Sequence, residues 1–251
     1  MTFVPPKNNK HVTKMARRIL SMDVGLRNLG VAIVRWAPDV ACAHVELMEC
    51  CDILADCGSS AKCSSVPRVD MIRHVANFLV TKESHWDACN ITDFVVEGQV
   101  RKAPRNVNIM VSLFTWFHQL HKRAQLQTPD HKPGTVFQVS ARNKLADESA
   151  VATHYQRKKQ AIEKLKTCVT AKSVTVEPST HVRYSLAKKQ DDMADAVLQA
   201  LWYIDAKITG KTGTGKAKEI NQSKGKGKGK GKARDKAKEI NQGKGKGKGK
   251  K

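Results

Sequence analysis

Four things are scarce or missing in this 251-residue sequence. No apolar run approaches the length needed to cross a bilayer, so any membrane role would be peripheral. The N-terminus, MTFVPPKNNKHVTKMARR, lacks the apolar segment of a secretory signal, and the expectation is a reducing, intracellular compartment. Whether that is a viral replication site, a nucleus or a mitochondrion is open. The seven cysteines, Cys42, Cys50, Cys51, Cys57, Cys63, Cys89 and Cys168, include no C-x-x-C pair, the spacing on which zinc sites are normally built. The four from Cys50 to Cys63 are therefore read as free thiols in a loop insertion. Negative charge is also short: 23 Asp and Glu stand against 45 Lys and Arg, a net +22.

The positive excess is unevenly spread. Ala206–Lys251 holds 17 Lys and Arg, 3 Asp and Glu, and no large apolar residue beyond Ile208, Ile220 and Ile240. Such a segment cannot bury enough apolar surface to offset the entropy of ordering it, so 206–251 is expected to be a disordered tail. KAKEINQ occurs in it twice, at Lys216–Gln222 and Lys236–Gln242, each followed by alternating Gly and Lys. With one large apolar residue per unit there is nothing to stack, and the repeat reads as a low-complexity polycation rather than a solenoid. Residues 1–16 read as a flexible basic N-terminus, and 17–205 as one domain of ordinary size. That body keeps about +8 of the net charge. Basic body and basic tail together imply a polyanionic partner, nucleic acid ahead of acidic lipid. A nuclear localisation signal is the other reading of the Lys-rich run.

Within the body, Arg18–Asp23 and Leu29–Trp36 read as a hairpin around the turn Val24–Asn28, with a third strand near His44–Asp52. Residues 55–65 read as a loop. Val66–Val80 is helical in spacing, burying Val69, Ile72, Val75, Ala76 and Leu79. Ile91–Glu97 is a β-branched strand. Asn106–Lys122 is a helix whose Ile109, Leu113, Trp116, Phe117 and Leu120 share a face, which makes Trp116 and Phe117 core or interface residues. Thr135–Val139 is a further strand. Tyr155–Cys168 is a charged helix burying Ile162 and Leu165, and Asp192–Ile204 is a closing apolar helix. Three strands, a helix, then alternating strand and helix predict an α/β fold with a mixed central sheet, its first three strands antiparallel and helices on both faces.

Four carboxylates stand out by position. Asp23 ends the first strand, Glu97 ends the central one, and Asp192 and Asp195 lie one turn apart on the last helix, on one face. Each has a plainer reading: Asp23 could open a turn, and Asp191 and Asp192 could cap a helix. Glu97 is harder to explain away, because a charge closing a run as apolar as Phe94–Val96 needs a partner. Gathered, the four would repel one another and raise each other's pKa, and such clusters persist when a cation neutralises them. An all-oxygen donor set selects Mg²⁺ or Mn²⁺ over zinc. Two such ions are the known means of cleaving a phosphodiester. Arg101, Lys102 and Arg105 follow Glu97 in a loop, and Lys188 and Lys189 precede Asp192, all placed to bind backbone phosphates.

At ILSMDVGLRNLGVAIV, VVEGQVRKAPRNVNI and KKQDDMADAVLQAL the sequence resembles the RuvC-type Holliday junction resolvases, in the style of those of poxviruses, other large DNA viruses and fungal mitochondria. The resemblance spans about Ile19 to Leu201, although only some forty residues carry it. It implies an RNase H-like fold, a homodimer, and symmetric Mg²⁺-dependent nicks across a four-way DNA junction, with two ions per active site. It places the metal-binding acids on Asp23, Glu97, Asp192 and Asp195, and makes Asp191 a neighbour or understudy. Gln99 matches the polar residue after the family's glutamate, and Val100–Asn108, with Asn106, the segment that enters the junction. The cysteine-rich insertion and the polycationic extension are departures.

Two other readings stand beside it. One is an RNase H-like nuclease acting on flaps, hybrids or duplex; the other is a non-catalytic basic DNA-binding protein, which gives no reason to gather acids. An ATP-binding fold of the actin and sugar-kinase kind also opens with a D-x-G hairpin, but its second glycine turn and adenosine loop are missing here.

Overall fold

Runs as continuously apolar as Val31–Val34 or Phe94–Val96 make stable strands only where both faces of a sheet are covered. The computed structural model, which describes residues 16–40, 42–99, 103–127, 134–140 and 153–210, has that arrangement. The chain divides into two units, Met1–Gly213 and Thr214–Lys251. The tail from residue 211, residues 1–15, and Arg101 and Lys102 lie outside the described residues.

Six strands form one mixed sheet: β1 (Arg17–Asp23), β2 (Leu29–Trp36), β3 (Ala43–Cys51), β4 (Asp93–Gly98), β5 (Thr135–Ser140) and β6 (Val174–Val176), in the order β5-β4-β1-β2-β3-β6. β1, β2 and β3 form the expected antiparallel meander, while β4 joins β1, β5 joins β4 and β6 joins β3 in parallel. The helices are α1 (Ile53–Asp56), α2 (Arg68–Ala88), α3 (Pro104–Gln127), α4 (His154–Thr170), α5 (Pro178–Leu186) and α6 (Gln190–Tyr203).

Side chains alternate across each strand, so neighbours in sequence go to opposite cores. Leu20, Met22, Val31, Ile33, Phe94 and Val96 meet α2 and α3, with Phe117 stacked on Phe94 at 3.9 Å between ring centroids. Ile19, Ala32, Val34, Val95 and Val139 meet α4 and α6 on the other face. Ala194, Ala196 and Ala200 are fully buried, and these small residues let α6 lie close to the sheet.

Several local expectations need correction. α2 buries Met71, Val75, Phe78 and Leu79, and leaves Val69 and Ile72 at 67% and 46% exposure. Apolar residues surround this helix on most sides, so periodicity alone does not settle its phase. α4 buries Ala161 and Leu165, with Ile162 only partly covered. α3 begins at Pro104, the first-turn position that proline favours, so Arg105 is helical rather than in a loop, and the helix expected from Asn106 starts two residues earlier. Helical structure continues past the expected domain end at 205, through a π-helical turn at Ile204–Ile208. Cys50 and Cys51 belong to β3, not to a loop insertion; Cys57 caps α1 and Cys63 opens a 3-10 turn, and all seven cysteines are free thiols.

Candidate active site

The sheet register brings the first two acids together. Met22 pairs with Val96 across the parallel β1 and β4, so Asp23 and Glu97 follow side by side at the carboxyl ends of adjacent strands. By alternation both share the face of Ile19 and Val95, which is covered by α6. Carboxyl ends of parallel strands are where sites form in open α/β sheets.

α6 runs antiparallel to these strands. Near its end the Tyr203 hydroxyl donates to buried Asp93 at the start of β4, at 3.1 Å. In its middle the Gln199 amide donates to the carbonyls of Met22 and Val95, at 3.1 Å each. Asp195 lies four residues earlier, about 6 Å back along the axis and toward the strand ends. Asp192 lies a further turn on. A Cβ placed on Gly30, the partner of Asp23, would stand 2.1 Å from the Asp192 carbonyl oxygen and 3.2 Å from the Asp23 Cβ. All four acids therefore occupy one end of the sheet, on one face. Among the described residues no group of three or more His, Cys, Asp or Glu is already arranged to hold an ion.

A divalent cation nevertheless fits the chemistry of this end. Asp192 is 8% exposed, and its Oδ2 is buried with no hydrogen-bond partner among the described residues. Burial pushes its carboxyl pKa up, and the negative charges of Asp191 and Asp23 add to this, with Lys158 partly offsetting them. An excess of negative potential with one unsatisfied oxygen is what a bound cation would relieve. Cys50, opposite Gly30 on β3, feels the same field: burial and then Asp192 push its thiol up to about 11.

Lys158 is the residue that the sequence did not single out. A capping box between Thr153 and Gln156 starts α4 and sets its register. From the second turn the Lys158 ammonium donates to Asp191 and, at 3.3 Å, to Asp192 Oδ1. Nothing in QRKKQ marks this lysine among its basic neighbours, because the contact joins two helices more than thirty residues apart. Asp191 and Asp192 do not cap α6; Lys189 holds that position, and both acids are in the first turn.

The polar residues near Glu97 form a chain. Gln99 Nε2 donates to Glu97 Oε2 at 2.6 Å, and Asn106 Nδ2 donates to Gln99 Oε1 at 3.3 Å. Of the two residues expected at DNA, Gln99 is thus engaged with the acid itself and Asn106 with Gln99. The guanidinium of Arg105 donates to the carbonyls of Cys63, Ser64 and Val66, tying the 3-10 turn to α3. Three of its five N–H donors are used in this way. Lys188 and Lys189 are exposed ahead of α6, and the charge of Lys189 reaches Cys50 together with those of Asp192 and Asp23.

No protein-family model matches the chain, and none of the curated proteins does. Solved structures do. The yeast mitochondrial Holliday junction resolvase superposes with a TM-score of 0.52 at 17% identity, over 75% of this chain and 79% of that one. The Fowlpox virus resolvase with its Holliday junction DNA matches at a TM-score of 0.48 and 17% identity, over 75% of this chain and 97% of that one. Thermus thermophilus RuvC matches at 0.41 and 13%, over 76% and 96%. At such identities the likeness is one of fold, and the first match carries it. The six-stranded mixed sheet with helices on both faces is an RNase H-like fold, shared with the yeast mitochondrial resolvase.

Proposed function

We propose that this chain is a structure-specific DNA endonuclease, resolving four-way junctions by divalent-metal-dependent phosphodiester hydrolysis during DNA recombination or replication. The carrying observation is the placement of Asp23, Glu97, Asp192 and Asp195 at one end of an RNase H-like sheet, beside an Asp192 oxygen with no partner among the described residues. These four would hold two Mg²⁺, with Mn²⁺ serving in its place, since the donors are carboxylate oxygens. Such ions activate a water and stabilise the leaving oxygen. A role in binding alone gives no reason to gather acids where phosphates must approach.

The remaining side chains hold the substrate and the acids. Lys188 and Lys189, exposed before α6, bind backbone phosphate next to the site, and Arg101 and Lys102, which follow Glu97 in the sequence, would serve the same purpose. Gln99 and Asn106 keep Glu97 oriented. A homodimer would set two such sites on one junction and yield paired nicks. A reducing, intracellular compartment belongs to the same reading.

The test uses the purified full chain with a labelled four-way junction and a linear duplex of the same sequence, with and without Mg²⁺, beside Asp23→Asn. The expected result is symmetric nicks in the junction alone, dependent on Mg²⁺ and lost in the variant. Nicking that persists without metal or in Asp23→Asn overturns the reading, and equal nicking of linear duplex removes the junction from it.

A further inference from the structure

We infer that Lys158 and Asp191 form a positioning pair, which grips one oxygen of Asp192 and presents the other to the metal. The inference rests on the nuclease reading above and deepens it. Consecutive helical residues point about 100° apart, so Asp191 and Asp192 cannot both face the sheet. Asp192 lies where the Gly30 Cβ would clash, beside Asp23, while Asp191 meets the Lys158 ammonium arriving from α4. That ammonium also reaches Asp192, but only at Oδ1, 3.3 Å away. Oδ2 of the same carboxylate is buried and has no partner among the described residues. Among the described residues, the hydrogen bond made to this side chain therefore goes to one oxygen, and the other is left for a cation. A carboxylate with two free rotamers would have to be ordered by the incoming ion; one already gripped is not.

The pair also gives Asp191 a task. It is no spare metal ligand but the anchor that holds Lys158, whose side chain is only 30% exposed. The ammonium is desolvated on burial and recovers that cost from the two aspartates.

Charge and position act here with opposite signs. Deleting a positive charge beside the acids should attract a divalent ion more strongly. Deleting a positioning group should weaken binding, as removal of residues that orient metal ligands does, by about tenfold or more. The experiment is calorimetric titration of the full-length protein with Mn²⁺, without DNA, for wild type, Lys158→Met, Asp191→Ala and the double variant, with a thermal melt in chelator to show folding.

The expected result is that Lys158→Met weakens Mn²⁺ binding about tenfold, and that the double variant is no weaker than Lys158→Met, because Asp191 acts through the lysine. Unchanged or tighter binding in Lys158→Met overturns the inference, as does a further loss in the double variant, which would make Asp191 a ligand in its own right. Should the Met variant not fold, Lys158→Gln is read by the same criterion, since an amide cannot bridge both aspartates. If wild type binds no Mn²⁺, or Asp23→Asn binds it equally well, the nuclease reading falls and takes the pair with it. If wild type binds and cleaves while Lys158→Met binds as wild type does, the pair alone falls.

Discussion

At Asp192, burial and chemistry pull against each other. The side chain is almost wholly enclosed, has one oxygen without a partner among the described residues, and stands next to Asp191 and near Asp23. Burial first, then these neighbours, raise its pKa above the ordinary carboxylate value, so the ionised form costs stability in the metal-free fold. Below that ordinary value, about pH 4, Asp192 is protonated in folded and unfolded chains alike and the cost vanishes. It grows as pH rises through the folded-state pKa. In chelator, Asp192→Asn should therefore melt at a higher temperature than wild type at pH 7, and at nearly the same temperature as wild type near pH 4. A constant difference across that range would show that the carboxylate is not held at a cost. Among the acids, Asp23, Glu97, Asp192 and Asp195 could be picked out from sequence because each closes or opens a strongly patterned segment. Lys158 could not, since nothing local records what a side chain meets across the fold.

At the scale of elements, the site depends on how closely α6 approaches β2. The buried alanines of α6 permit that approach, and Gly30 completes it. Gly30→Ala would drive a methyl group to 2.1 Å from the Asp192 carbonyl oxygen, which is backbone and cannot rotate away. α6 must lift from the sheet, at a cost of about 1–3 kcal/mol of stability. Because α6 carries Asp192 and Asp195, the same shift should weaken Mn²⁺ binding; a variant that melts and binds metal as wild type does would refute this. The strands β1, β2, β4 and β5 were readable as β-branched or apolar runs. The three-residue β6 and the short α5 were not, because so few residues carry no period and they are held by partners: Val174 pairs with Ala43, and the Thr180 hydroxyl donates to the Glu46 carbonyl at 2.8 Å. The phase of α2 escaped for a different reason, since a helix apolar on most sides has no unique buried face until something packs on it.

For the whole molecule, charge divides the work. The acids that would hold metal belong to the unit Met1–Gly213, and the densest run of lysine follows it. Each lysine that neutralises a phosphate releases a counterion, so binding should weaken steeply with salt. Deleting residues 207–251 should lower DNA affinity at low salt and flatten its salt dependence, while metal-dependent cleavage stays measurable. Complete loss of cleavage in a folded truncation would contradict the placement of catalysis in the body. Composition, strand pattern and the positions of four acids were determined by the sequence itself, because hydrophobic period and net charge are properties of neighbouring residues. Which oxygen of Asp192 is left without a partner, which lysine grips the other, and which face each helix buries were decided only in three dimensions, where residues remote in the chain come into contact.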